Sequence, residues 1–358
     1  MKSTGGTFSL LLTGLFLIFT FSCKKDRNIA LPEISTKPYT ALTSTSVTTG
    51  GSVTSDGGSI ILARGICWGE NIDPTLSDNY TSDGKGGGSF YSSIVGLTDG
   101  TDYYIRAYAT NIAGTSFGNE FRVITPLTDI DGNVYNTIII GDQVWMTQNL
   151  KTTRFYDNSK IPQISDNSAW ANLSTPGYCW YGNDEYANGP LFGALYNWFA
   201  VNTYKLCPSG WHIPSEKEWI TLTYYLGGDS IASGKLKEVG GDHWSSPNAA
   251  ASNEFGFTAL PGGYRTGLAA GSFRTKKYYG WWWTATETDD IGARARLMTY
   301  DVGEIAAGTR LKNNGYSVRC VKDNYQGRRS RTDSSSDSDL ATIAQHKLKT
   351  SILTDFSR

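Results

Sequence analysis

The sequence predicts a multidomain, exported protein: an all-β domain followed by an α+β domain rich in tryptophan and glycine. Three observations predict it. Aromatic residues make up 13% of the chain and are accompanied by 40 glycines, a composition of strands and turns rather than of a helical bundle. Ten of the 11 tryptophans lie at or after Trp145, and only Trp68 precedes them. An apolar stretch, Phe8 to Phe21, follows Lys2 and ends just before Cys23. The 358 residues suffice for two separate cores. Lys and Arg number 32 against 33 Asp and Glu, so no basic field exists to attract nucleic acid.

The leader comes first. Phe8 to Phe21 has the length of a signal-peptide apolar region and is too short for a spanning helix. The run "TFSCKKD" resembles the lipobox of bacterial lipoproteins, in which a small residue precedes a cysteine that is lipidated and becomes the N-terminus. Ser22 fits that small position, whereas Thr20 replaces the usual leucine and Phe21 is bulkier than usual. The resemblance implies a signal peptide over 1–22, lipidation of Cys23, a tether over 23–31, and attachment through the lipid to an outer membrane or cell surface. Export implies an oxidising compartment, where disulfides persist.

Residues 32–126 read as the all-β domain. In "YYIRAYA", Tyr104, Arg106 and Tyr108 alternate with Tyr103, Ile105, Ala107 and Ala109, the period of a strand with one buried face. The stretch "LTDGTDYYIRAYATN" resembles the corner of a fibronectin type III domain, where a leucine, a turn and a tyrosine precede the penultimate strand. The resemblance implies a fibronectin type III-like sandwich used as a spacer or protein-binding unit. By it Tyr103 is the corner tyrosine, with its hydroxyl bonded back to the backbone. Cys67 has no second cysteine in this domain and reads as a buried small hydrophobe.

Beyond Pro126 and Leu127 the second domain begins. Asp131-Gly132 is predicted to be a two-residue hairpin turn. Asp129, Asp131 and Asn133 alternate as in a calcium loop, but glycine is fourth rather than sixth and the twelfth residue is Ile140 rather than glutamate. The turn reading is preferred. A helix is predicted over "LFGALYNWFAV", with Leu191, Leu195, Trp198 and Phe199 at helical spacing behind Gly189-Pro190. A second is predicted over "PSEKEWITLTYYLGG", capped by Ser215 with Glu218 three residues on and stopped by Gly227. "SGKLKEV" suggests a short third. "GWWWTATE" reads as a strand with Trp281 and Trp283 on one face and Trp282 on the other, and "YSVRCV" as a closing strand. The Ser-rich, charged tail over 324–358 is expected to be disordered, with Leu340, Ile343, Ala344 and Leu348 at the spacing of a weak amphipathic helix.

Laid out in order, "VWMTQNLK", "ALYNW", "CPSGWHIPS" with "EW", "NEFGFTALPGGYR", "WWTATE" and "YSVRCVKD" resemble the Fibrobacter succinogenes major paralogous domain over about 129–323. That family is related to the C-type lectin-like fold. The resemblance implies an α+β domain with two helices and a loop-rich antiparallel sheet, and a structural disulfide between Cys207 and Cys320. Cys179 is the competing partner and is expected to be a free, buried thiol. The related formylglycine-generating enzymes use a late pair of copper-binding cysteines, and the segment from Gly262 to Leu297 contains none. Hydrolysis fares no better: no G-x-S-x-G or H-E-x-x-H pattern occurs, and His212 reads as a structural residue. Asp184 with Glu185, and Asp289 with Asp290, read as loop charges. The lectin calcium triplets are absent, so no cofactor or metal is expected. What remains is a non-enzymatic binder of a glycan or cell-surface protein, or alternatively a structural surface component. The candidate contacts are Arg265, Arg274, Tyr278, Tyr279, Arg294 and Arg296, clustered around the tryptophan triplet.

Overall fold

A computed structural model of the chain describes residue 1 and residues 28–268 and 271–323; Cys23, most of the tether and the tail lie outside them. The first domain is a two-sheet sandwich. Strands β1 (Glu33–Leu42), β2 (Ser46–Ser55) and β5 (Gly88–Val95) form one sheet. The other runs β4 (Asn79–Tyr80), β3 (Ala63–Gly69), β6 (Asp102–Asn111), β7 (Gly114–Phe117), with β8 (Phe121–Ile124) also paired on β6. The inward residues of both sheets, among them Val47, Ile66, Ile94, Ile105 and Val123, make one core. Alternation along β6 buries Tyr103, Ile105 and Ala107 as expected. The Tyr103 hydroxyl accepts the Thr98 amide at 3.1 Å, completing the corner, and Cys67 is fully buried and unbridged.

The second domain opens on the hairpin of β9 (Leu127–Thr128) and β10 (Val134–Tyr135). Its loop is five residues rather than two, because Asp129 organises it. The Asp129 carboxylate accepts from the amides of Asp131 and Asn133, the Asn133 side chain and the Tyr135 hydroxyl. Then come β11 (Thr137–Ile140), β12 (Gln143–Met146), α1 (Asn167–Ala171), β13 (Tyr178–Cys179), α2 (Glu185–Phe192), β14 (Leu195–Tyr196), α3 (Trp198–Val201) and β15 (Trp211–His212). The helix expected from Leu191 to Val201 is corrected here. Helix α2 starts earlier, runs through Pro190 and stops at Gly193, whose φ of 72° only glycine adopts readily. Leu195 and Tyr196 then pair with Cys179 and Tyr178 as strand, so the apolar spacing reflects burial in a changing backbone.

Helix α4 (Glu216–Tyr225) has the predicted capping box of Ser215 and Glu218, and buries Trp219 and Leu222. Helix α5 (Asp229–Leu236) begins before the "SGKLKEV" run. Strands β16 (Tyr264–Arg265) and β17 (Phe273–Arg274) form a hairpin; β18 (Tyr279–Glu287), β19 (Gly292–Thr299) and β20 (Ile305–Leu311) form a sheet. Finally β21 (Val321–Lys322) joins a sheet of order β11-β12-β21-β15. Only those two residues of the closing motif are regular strand. The rest is extended chain that bonds to several elements in turn: Tyr316 to Tyr196, Ser317 to β18, Val318 to Leu150 and Cys320 to Met146. Lys322 reaches the Gly100 carbonyl of the first domain at 2.7 Å, and Ile124 and Leu127 share a core cluster with Trp211.

The centre of this domain is polar. Arg319 is 1% exposed and bonds to Asn149 Oδ1 at 2.9 Å, to Thr258 O at 2.8 Å and to Phe257 O, with Phe257 and Trp282 rings over its guanidinium. Asn149 also accepts from Trp282 Nε1 and donates to Phe192 O and Ser317 Oγ. Asn149→Leu should strand the Arg319 and Trp282 donors and cost about 3 kcal/mol, read by denaturant unfolding; Asn149→Asp, which keeps the acceptor, should cost less. Cys207 and Cys320 form the disulfide across 113 residues, and Cys179 is free and buried. Replacing both bridged cysteines with alanine should lower stability by about 3–5 kcal/mol, while Cys179→Ala should leave the bridge intact in non-reducing peptide mapping.

Candidate functional site

The sheet of β18, β19 and β20 lies between two cores, which is why three consecutive tryptophans are tolerated. Trp281 and Trp283 join the cluster containing Tyr316 and Val318, whereas Trp282 joins the one containing Trp219 and Phe257. The predicted alternation holds, with one core against each face.

This arrangement divides the six candidate contacts. Arg265 is 0% and Arg296 1% exposed, which corrects their reading as ligand contacts. Arg265 bonds to the carbonyls of Ile164, Ser165 and Gly271 and to Asn167 Oδ1, between the rings of Trp170 and Phe273. Arg296 and Arg294 both grip Glu216 in the first turn of α4 and so bind that helix to β19. Tyr278 is exposed but set edge-on against Tyr300, which borders the Trp282 core. Arg274 and Tyr279 belong to the opposite side. Tyr279 is in register with Trp281 along β18, and Arg274 sits across from Tyr264, whose ring meets Trp281 and Tyr316. Residues directly opposite in an antiparallel pair share a face.

On that face a row of side chains is only partly covered: Tyr264, Tyr279 and Leu297, set against buried Trp281. The cause is the outermost strand. Opposite Leu297 and Ala295, β20 carries Ala306 and Gly308, which have too little side chain to roof the row. Arg310 then folds back over Gly308, where an added Cβ would come within 2.9 Å of its Nη1. Its guanidinium lies over the Trp281 ring, 4.8 Å from the centroid, and that ring is also stacked with Tyr316 at 5.0 Å. The only side-chain hydrogen bond of Arg310 among the described residues runs to the adjacent Thr309 carbonyl. Sequence reasoning missed Arg310, since nothing in "AAGTRL" marks it except the small residues two and four places before.

Other polar groups are already engaged. Asp131 accepts from Thr152 and Thr153 and faces Arg154; Asp184 caps α2, and Asp289 accepts the Ile291 and Gly292 amides. An open cleft of about 470 Å³ is lined by residues including Arg154, Gln163 and Tyr178, but Arg154 is bonded to Asn158 and paired with Asp131. Among the described residues no group of three or more metal-ligating side chains occurs.

His212 is held at both nitrogens, by Asp323 at 2.5 Å and Glu218 at 2.7 Å. The bond to Glu218 is the largest influence raising its pKa, ahead of the opposing burial, and Asp323 adds to it. Burial pushes Glu218 up, but bonds from His212 and Ser215 outweigh it and leave the carboxyl below 4.5. A raised histidine stabilises the fold fully below its ordinary 6.5, and the contribution is lost as pH rises through the folded value. The Glu218 contribution runs the other way and is lost as pH falls below 4.5. Stability should therefore decline as pH rises above about 6.5, by less than about 1 kcal/mol because these groups are partly exposed, with a matching fall in melting temperature. His212→Gln should flatten that decline in thermal scans.

The chain is similar over 27% of its length to the sensor domain of the anti-sigma factor RsgI4 of Pseudobacteroides cellulosolvens, with 18% identity, 96% of that chain covered and a TM-score of 0.21. It is also similar to the sixth fibronectin type III domain of human fibronectin type III domain containing protein 3, with 23% identity over 28% of this chain and 91% of that one and a TM-score of 0.22. No curated protein matches the chain. Residues 138–322, just over half of the chain, match a family model that takes in β12, α4, the tryptophan strand and the closing motif. The chain belongs to the Fibrobacter succinogenes major domain family.

Proposed function

We propose that this chain is an exported, lipid-anchored protein of the outer membrane or cell surface. Its second domain, an α+β unit of C-type lectin-like build, binds a glycan or protein ligand and performs no catalysis. The leader ending at Cys23 supports the anchor, and the sandwich domain supports a spacer that carries the binding domain away from the membrane. The observation that carries the binding reading is the partly covered row of Tyr264, Tyr279 and Leu297, left open by Ala306 and Gly308 on β20. Aromatic rings fixed on a sheet offer flat apolar area with little entropy left to lose on binding. Their support is rigid, because Trp281 is stacked with Tyr316 and carries the Arg310 guanidinium over its ring.

On this reading Tyr279→Ala weakens ligand binding about tenfold, the loss of about 1.4 kcal/mol of ring contact, with a much smaller effect on the melting temperature. A glycan and protein array probed with the full chain identifies the ligand, and titration of both proteins measures the difference. Equal affinity in the two would remove the row from the site.

A further inference from the structure

Resting on the binding reading above, we propose that the ligand is an anionic glycan whose carboxylates are taken by Arg310 and Arg274, at the borders of the aromatic row. Most arginines of the described domains have committed partners: Arg106 pairs with Asp73, Arg122 with Asp102, Arg154 with Asp131, and Arg294 and Arg296 with Glu216. Arg265 and Arg319 are buried against carbonyls. Arg310 and Arg274 differ. Among the described residues the first donates only to Thr309 O and the second only to Ser272 Oγ, and neither forms an ion pair.

Their placement is specific. The Arg310 guanidinium lies over Trp281 and is tied to the Thr309 carbonyl, so it is positioned before any ligand arrives, while most of its N–H donors have no partner among the described residues. Gly308 makes that pose possible, since a side chain there would occupy the space of the guanidinium. Arg274 stands across the hairpin from Tyr264, which meets Trp281 in turn, so aromatic residues join the two cations. The Trp281 indole N–H is buried there without an acceptor among the described residues. Planar guanidinium forks match carboxylates, and ring faces match the apolar face of a pyranose. The row presents ring faces along a sheet, and such faces match the apolar faces of successive pyranoses, so the chemistry favours an acidic polysaccharide over an acidic protein.

The test measures binding of the full chain to polygalacturonate, to its methyl-esterified form, to dextran sulfate and to poly-L-glutamate. Polygalacturonate should bind at least about tenfold more tightly than the ester, in line with one or more charge-assisted bonds, and should weaken as salt rises. Arg310→Gln and Arg274→Gln should each reduce that preference, and the double variant should abolish it while the melting temperature stays within a few degrees of the parent, both residues being at the surface. Gly308→Val should mimic Arg310→Gln without removing a charge. Ester bound as tightly as polygalacturonate, with Tyr279→Ala still weakening both, overturns the anionic assignment and leaves the binding reading standing. Equal binding of poly-L-glutamate overturns the glycan assignment. Dextran sulfate bound more tightly than polygalacturonate, through the same arginines, replaces carboxylate by sulfate and overturns the proposal as stated. Polymer binding unchanged in the double arginine variant overturns the site. Absence of binding to every polymer and every array ligand overturns both this proposal and the reading it rests on.

Discussion

The second domain depends on a charge it has buried without a countercharge. Arg319 lies at the centre, stripped of water, and burial pulls its pKa down to about 9, so it is still a cation at neutral pH. Moving such a group out of water is costly, and the fold meets the cost with carbonyl dipoles and ring faces rather than a carboxylate. Its acceptors come from two distant parts of the chain: Asn149 from the segment after β12, Phe257 and Thr258 from the loop before β16. Trp282 shares Asn149 with it. Satisfying Arg319 therefore requires these distant segments to arrive together, which makes one buried side chain a condition on the whole topology.

The same solution recurs. Lys237 is buried, donates to the carbonyls of Thr299 and Val302, lies by the Trp244 ring, and is pulled down to about 8 by desolvation. Lys312 follows it in part: it lies over Trp198 and donates to the Asp290 carbonyl, but it also pairs with the Glu287 carboxylate. Arg265 has its own cage of carbonyls and rings. In a domain with little regular secondary structure, many loop carbonyls lack a strand or helix partner, and buried cations supply the missing donors. The tryptophans then do two things: they fill volume, and they present the negative faces against which these cations rest. The abundance of Trp and Gly and the burial of Arg and Lys are thus one physical design, in which loops are fixed by cations and cations by rings.

How legible this was in the sequence depended on how local each signal is. The capping box at Ser215, the alternation of Trp281 to Trp283 and the corner role of Tyr103 rest on near neighbours or on a strong motif, and each is found in the structure. The run from Leu191 to Val201 misled because burial on all sides erases the difference between helical and strand spacing, and Gly193 with the pairing of Leu195 to Cys179 decided it. The Asp131-Gly132 turn was lengthened by the Asp129 carboxylate, whose partners include Tyr135 outside the loop. Arginines were the hardest to read. Arg265 and Arg296 look like surface residues by type, and only three-dimensional neighbours, Trp170 and Phe273 for one and Glu216 for the other, show them to be interior.

That same distinction points to the site. A fold that uses guanidinium groups as internal fasteners gives nearly every arginine a partner, so the exceptions stand out against a demanding background. Arg310 is oriented by the same ring-stacking device that holds Arg265 and Arg319, yet it receives no carbonyl cage and only its neighbour's backbone oxygen. The small residues of β20 keep the space beside it open instead of filling it. A surface arginine left free to move would lose much rotamer entropy on binding; one already stacked on a buried tryptophan has lost most of it in folding. The device that stabilises the core, repeated once at the surface with its donors left unmatched, becomes a receptor for a charge from outside.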